Sequence, residues 1–351
     1  SEGTREYLFE FNGGGAGVVD FDCDSWPDLM FTQAGDKPWE RSSESDQLFR
    51  NIDGQRFQSV SEQAGITDFR YGQGVTSGDI NNDGFADLYV ANFGPNQLYI
   101  NNGDGTFSDS SEASGGHQWT SSCAIADLNG DGSSDIYAVN YLNAEEVEKR
   151  DCHSSQAPRC SPSNFSAGKD AIFLSQGDGT FFDTSTKSGV QSPLGKGLGL
   201  IVADLNRDNH LDVFVGNDTT QNNLYINTPH STEGALTFED QAVLAGCAFD
   251  SNGIAQACMG IAAASLDFDG TPDLFVTNFF NDANTLYREQ ANGTFREHSR
   301  ESNLGRLSFG QLGFGTQFLD ADVDGDLDLV IAKGHIYRFP ETSGIPYRMP
   351  A

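Results

Sequence analysis

Small and apolar residues recur in short runs along this 351-residue chain, and each run leads into an acidic stretch. GGGAGVV, GQGVTSG, GLGLIVA, MGIAAAS and LGFGTQFL each precede an Asp-rich segment, and an alternating run such as LYV, IYAV, VFV or LFV follows it. Further on, LFRNIDGQRF at Leu48, LYINNGDGTF at Leu98, IFLSQGDGTF at Ile172 and LYREQANGTF at Leu286 recur. A Gly-containing turn between two apolar runs marks a hairpin. The repeating unit therefore reads strand, acidic loop, strand, strand, turn, strand. Four short antiparallel strands per repeat predict an all-β chain, a β-propeller of four-stranded blades. Small residues ahead of each loop suit an innermost strand that neighbours approach closely. Helical periodicity is nearly absent, and AEEVEKR from Ala144 is the one predicted helical turn.

The acidic segments start at Asp20, Asp79, Asp127, Asp204, Asp267 and Asp320. That spacing suits blades of about 40–50 residues carrying loop insertions. Insertions are expected at 141–169 and 228–257, within a single propeller domain over 1–351. Six repeats are visible. Seven blades are expected, with the segment through Phe11 completing another blade or the last one.

Five segments share the pattern D-x-[DN]-x-D-x-x-x-D. They are Asp20, Asp22, Asp24, Asp28; Asp79, Asn81, Asp83, Asp87; Asp127, Asn129, Asp131, Asp135; Asp204, Asn206, Asp208, Asp212; and Asp320, Asp322, Asp324, Asp328. Calcium takes roughly six to eight hard oxygen ligands. Positions 1, 3, 5 and 9 of a tight loop supply side-chain oxygens, and position 7 a carbonyl. Carboxylates packed this closely repel one another without a cation, so about five Ca²⁺ sites are expected on the oxygen-ligand rule. Gly84, Gly132 and Gly325 at position 6 mark a left-handed turn. Position 12 is apolar (Phe31, Val90, Ala138, Val215, Ile331), which excludes an EF-hand. The segment at Asp267 reads as two residues short. It keeps Asp267, Asp269 and Asp273, lacks a carboxylate at position 5, and is expected to bind calcium weakly or not at all.

Composition sharpens this picture. With 51 acidic against 20 basic residues the formal charge is −31, which excludes nucleic acid and anionic lipid as partners. No apolar stretch approaches the roughly 20 residues of a membrane helix. The chain starts at Ser1, which a cleaved leader and a trimmed chain would both explain. Six cysteines fall in no zinc spacing. The close pairs Cys152 with Cys160 and Cys247 with Cys258 are expected to form disulfides and to place the chain in an oxidising, extracellular or periplasmic compartment. Cys23 and Cys123 are left open between pairing and free thiols.

At these residues the sequence resembles the FG-GAP/VCBS repeat family, the propeller type of integrin α chains. GFG at Gly313 to Gly315 followed by FLDADVDGDLDLVIA carries that resemblance. The run from Cys258, CMGIAAASLDFDGTPDLFVTNFFNDANTLY, with CSPSNF and the closing PYRMP, looks like the ASPIC/UnbV (cartilage acidic protein-like) group. The resemblance implies a calcium-stabilised propeller and a further segment after PYRMP.

No GxSxG, P-loop or HExxH appears, so enzyme chemistry is poorly supported. His335 is the best single catalytic candidate. Asn92, Asn140, Asn217 and Asn278 end successive strands and, with His335, are candidates for a ligand face; closing the following turn is the alternative. The expected function is a secreted protein- or glycan-binding scaffold. The alternative is a carbohydrate-active enzyme of the lyase or dehydratase type.

Overall fold

The computed structural model describes residues 7–110, 112–150, 160–228 and 236–334. The chain divides into two compact units, residues 1–194 with 230–236 and residues 195–229 with 237–351.

In the first unit, blade 1 consists of the antiparallel strands Ala16–Val19, Asp28–Phe31, Gln47–Ile52 and Arg56–Ser59. Blade 2 consists of Tyr71–Gly78, Asp87–Gly94, Gln97–Asn101 and Phe107–Ser110. Blade 3 consists of Gln118–Ala126, Asp135–Asn140, Ala171–Ser175 and Phe181–Asp183. Blades 2 and 3 also touch edge to edge, where Phe93 pairs Trp119 and Gly94 pairs Gln118. In the second unit, blade 4 consists of Gly197–Ala203, Asp212–Asn217, Asn223–Asn227 and Phe238–Asp240. Blade 5 consists of Cys258–Ala264, Asp273–Asn278, Thr285–Gln290 and Thr294–Glu297. Blade 6 contributes Leu312–Leu319 and Asp328–Gly334 among the described residues. The fold class is thus the expected all-β one, built of four-stranded antiparallel blades.

Alternation explains these strands. In blades 2 to 5 the second strand is buried throughout. Met30, Leu48, Leu88, Val90, Tyr99 and Phe107 share one apolar cluster between blades 1 and 2, and Phe214, Leu224, Leu274, Val276 and Tyr287 share another between blades 4 and 5. Each such side chain contributes about 1.5–3 kcal/mol on burial. The small residues of the innermost strands are needed where blades meet. A Cβ on Gly15 would lie 2.6 Å from Gly74 Cα, and one on Gly260 would lie 2.5 Å from the Phe314 carbonyl oxygen.

Three expectations need revision. The described part of the segment through Phe11 is a 3-10 turn, Leu8–Phe11, rather than a strand. Its Phe9 packs edge-on against Trp39, Tyr71 and Phe93. Cys247 and Cys258 are free thiols, both fully buried in the blade 4–5 cluster, where they act as small apolar residues. Cys23 and Cys123 are also free. Helices are more numerous than the single predicted turn. Ala144–Lys149 forms as expected, capped by the Asn143 side chain, which accepts from Glu146 N at 3.1 Å. Ser61–Ala64, Ala242–Ala245 and Leu304–Ser308 add short ones. Cys160 is disulfide-bonded; Cys152, its expected partner, lies outside the described residues.

Candidate functional site

All six acidic loops close on one hydrogen-bond plan. The side chain at position 1 accepts from the backbone N–H groups that follow the tip. Asp79 Oδ1 and Oδ2 accept from Asp83 N and Gly84 N at 3.1 and 2.8 Å. Asp20, Asp127, Asp204 and Asp320 do the same within their own loops. The carboxylate at position 5 accepts from position 7, as Asp83 does from Phe85 N at 2.9 Å. To aim these N–H groups inward, position 6 takes a left-handed backbone, held by Ser25, Gly84, Gly132, Asn209, Gly270 and Gly325. Position 4 does so as well, with Cys23, Asn82, Gly130, Arg207, Phe268 and Val323. The second requirement is invisible in the sequence, because only one of these six residues is glycine.

The same plan corrects the reading of the fifth loop. Gly270 N donates to Ser265 Oγ at 3.1 Å, Thr271 N donates to Asp269 Oδ1 at 3.0 Å, and Leu266 N donates to Asp273 Oδ2 at 3.1 Å. The loop is therefore full length and starts at Ser265. Asp267, Asp269 and Asp273 hold positions 3, 5 and 9, and the missing carboxylate belongs to position 1, not position 5. Anchoring the pattern on its first Asp hid the serine.

Position 9 is a strut. In blade 2, Asp87 accepts from Ile80 N and Asn101 N, both at 2.8 Å, and ties the loop to the third strand. Asp28, Asp135, Asp212 and Asp273 repeat this arrangement. All five are buried. Burial pushes the carboxyl of Asp87 up to about 6 and those of Asp135 and Asp212 up to about 7.

The donor set suits a hard cation. Ligand atoms of Asp20, Asp22 and Asp28 lie within 4.8 Å of one another, as do those of Asp320, Asp322 and Asp328. That is about twice a Ca–O distance. Asp22 Oδ1 is buried without a hydrogen-bond partner. In loops 2, 3 and 4 position 3 is Asn, and its amide donates to the position 5 carboxylate: Asn81 to Asp83 at 2.9 Å, Asn129 to Asp131 at 2.9 Å, Asn206 to Asp208 at 3.0 Å. In loop 6 Asp320, Asp322, Asp324, Asp326 and Asp328 have no basic partner among the described residues.

The opposite ends of the second strands are different. Asn92, Asn140, Asn217 and Asn278 are 0–1% exposed, so as a ligand face they are excluded by burial. They close turns. Asn92 N donates to Asn96 Oδ1 at 2.9 Å, and its amide donates to Asp68 Oδ2 and the Pro95 carbonyl at 2.8 and 3.1 Å. The residue preceding each third strand is the partner of that backbone N–H: Asp46, Asn96, Asp170, Asn222 and Asn284. Sequence reading missed this second Asn/Asp series, although its offset two residues ahead of each LY, LF or IF run repeats. Burial pushes Asp46 up to about 8 and Asp170 up to about 7. His335 lies outside the described residues.

Within the first unit a cleft of about 410 Å³ is lined by Trp39, Arg41, Phe69, Arg70, Phe93 and His117, among others. Arg41 lies 4.1 Å over the Phe69 ring. The Arg70 guanidinium is engaged by Asp68, Pro95, Asn96 and Gln97, whereas Arg41 is exposed and Trp39, edge-on to Phe9, is 45% exposed. No helix among the described residues is long and apolar enough to cross a membrane.

The family profile described as an FG-GAP-like repeat matches residues 20–90, 79–138, 204–276 and 265–331, the last starting at Ser265. Mouse cartilage acidic protein 1 is 34% identical over 183 residues, which are 49% of this chain and 26% of that protein. The human protein of the same name is 32% identical over the same shares. The alignment thus spans about a quarter of these curated relatives. A solved lectin of Agrocybe aegerita, described as recognising non-reducing terminal N-acetylglucosamine, is similar at a TM-score of 0.45 and 17% identity, covering 82% of this chain and 65% of that one.

Proposed function

Because the chain belongs to the FG-GAP-like repeat family of β-propellers, we propose that it is an extracellular binding scaffold whose blades are held by calcium at their acidic loops. The observation that carries this reading is the sixfold repetition of one loop plan that gathers carboxylates. In loop 6, ligand atoms of Asp320, Asp322 and Asp328 lie within 4.8 Å of one another, with no basic partner among the described residues. A divalent cation is the economical source of the missing charge, and an all-oxygen donor set selects calcium over softer metals. Asp320, Asp322, Asp324 and Asp328 would hold it there, and the equivalent residues of loops 2, 3 and 4 would do the same. The ion would cross-link the two strands that flank each loop.

The ligand would be an extracellular protein or glycan, and the cleft at Trp39 and Arg41 is its proposed seat. An exposed indole offers a stacking face for a sugar or a side chain, and a guanidinium without a hydrogen-bonding partner among the described residues offers a fork for a carboxylate. Asp170 also lines a cleft, of about 410 Å³. Both its oxygens are spent on Tyr137 and Asn140 at 2.9 and 2.8 Å, as befits a strut, so it lends no support to an enzyme.

Thermal unfolding in calcium and in EDTA, with bound metal counted per chain, tests the scaffold reading. A ligand held only by the folded state contributes about 2.7 kcal/mol per site at a hundredfold excess over Kd. Asp324→Ala is expected to lower Tm in calcium and change it little in EDTA. A chain that binds no metal and melts alike in both would overturn the calcium reading. A glycan array probed with wild type and with Trp39→Ala tests the cleft.

A further inference from the structure

The residue that faces an acidic loop from the third strand differs between blades, and it differs together with position 3 of the loop. Phe49, Tyr99, Phe173, Tyr225 and Tyr287 pair with the residue after position 9 in their blades. The next residues along the third strand are Arg50, Ile100, Leu174, Ile226 and Arg288. Loops 2, 3 and 4 carry Asn at position 3 and an aliphatic residue at this strand position. Loops 1 and 5 carry Asp at position 3 and arginine at this strand position.

Each arginine reaches its loop. Arg50 Nε lies 2.5 Å from Asp22 Oδ2, and its Nη2 lies 3.1 Å from Asp24 Oδ2. Arg288 Nη2 lies 2.9 Å from Asp267 Oδ2, and its Nε lies 3.2 Å from Asp273 Oδ1. Arg207, at position 4 of loop 4, pairs with the remaining carboxylate of loop 5, Asp269, and with Glu289. All three carboxylates of loop 5 are therefore paired with guanidinium groups, in the loop that has also lost its position 1 carboxylate to Ser265. Loop 1 keeps its four carboxylates, with two of them on Arg50.

We propose that Arg50 and Arg288 are resident cations, which do for loops 1 and 5 what calcium does for the others. This deepens the calcium reading and rests on it. Loop 5 then stands without metal, and loop 1 takes calcium more weakly than loops 2, 3, 4 and 6, because an incoming ion must displace a guanidinium. Two kinds of blade share one hydrogen-bond plan: one kind loosens when extracellular calcium falls and the other does not.

The test compares Tm in EDTA and in calcium for wild type, Arg50→Leu, Arg288→Leu and the double variant Ser265→Asp/Arg288→Leu, with bound calcium counted at a buffered free concentration. Leucine is the residue blade 3 uses at this position. Arg56→Leu, on an exposed strand position with no ion pair among the described residues, controls for net charge. Arg50→Leu is expected to lose at least ~2 °C in EDTA, to recover that loss in calcium, and to bind one more ion per chain than Arg56→Leu. Arg288→Leu is expected to lose Tm in both conditions, and Ser265→Asp/Arg288→Leu to recover in calcium only. Equal losses for Arg50→Leu in calcium and EDTA, or no gain in bound ion, would overturn the proposal while the calcium reading stood. Wild type without bound calcium would overturn both.

Discussion

The second strand of each blade ends in Asp and Asn chemistry on both sides, and the two ends behave oppositely. At the loop end the carboxylates of positions 1, 3 and 5 are half-buried to exposed, and the proposed calcium would balance them. At the turn end Asn92, Asn140, Asn217 and Asn278, with Asn96, Asn222 and Asn284, are buried and neutral and satisfy the backbone directly. The first end is open to solvent, so charge is tolerated there. The second end is dry, so charge is costly. Residue type alone does not assign a role; burial and the nearest donor do.

The largest expected effect breaks the contrast at its one overlap, the position 9 strut. Asp87→Ala leaves Ile80 N and Asn101 N unpaired inside the blade. A loss of about 3 kcal/mol or more is expected on unfolding in denaturant in EDTA, and a larger one in calcium, where Asp87 is also a proposed ligand. A loss seen only in calcium would make Asp87 a ligand before it is a strut.

A smaller effect sharpens the contrast at the turn end. Asp46 is the aspartate of blade 1 where three other blades use Asn, and its Oδ2 is buried without a partner. Burial raises its carboxyl to about 8, so the folded chain holds a proton that the unfolded chain releases near pH 4. Stability from this group is therefore complete below pH 4 and is lost as pH rises towards 8. Asp46→Asn is expected to gain about 1–3 kcal/mol over wild type at pH 9 and little at pH 4. Urea unfolding at the two values measures it, and a gain independent of pH would contradict the assignment.

The smallest effect puts the reverse change at the loop end. Asn81→Asp adds a charge to exposed loop 2, where Ile100 offers no counter-ion. A loss within about 1 kcal/mol is expected in EDTA, recovered in calcium. A loss that calcium does not touch would place Asn81 outside any metal site.

The strands and loops were legible because alternation and Asp spacing are local and repeated. The strand-and-loop signals around Asp20, Asp79 and Asp127 need only neighbours in the chain to be read. The start of the fifth loop was not legible, because Ser265 stands in for an Asp and only its hydrogen bond to Gly270 reveals the register. Nor was the arginine code, since Arg50 meets Asp22 across a strand pairing and not along the chain. The burial of the strand-end asparagines and the reduced state of Cys247 and Cys258 depend on packing between blades, which no short motif encodes.

The left-handed backbone at position 4 has a consequence for engineering. Phe268 and Val323 are 72% and 86% exposed at their loop tips, and by burial alone they look freely replaceable. Their φ angles of 60° and 61° make them among the most restricted sites in the chain. A library that varies the surface at random would spend most of its members on strained tips. One confined to Gly and Asn at position 4 would explore the loops without bending them.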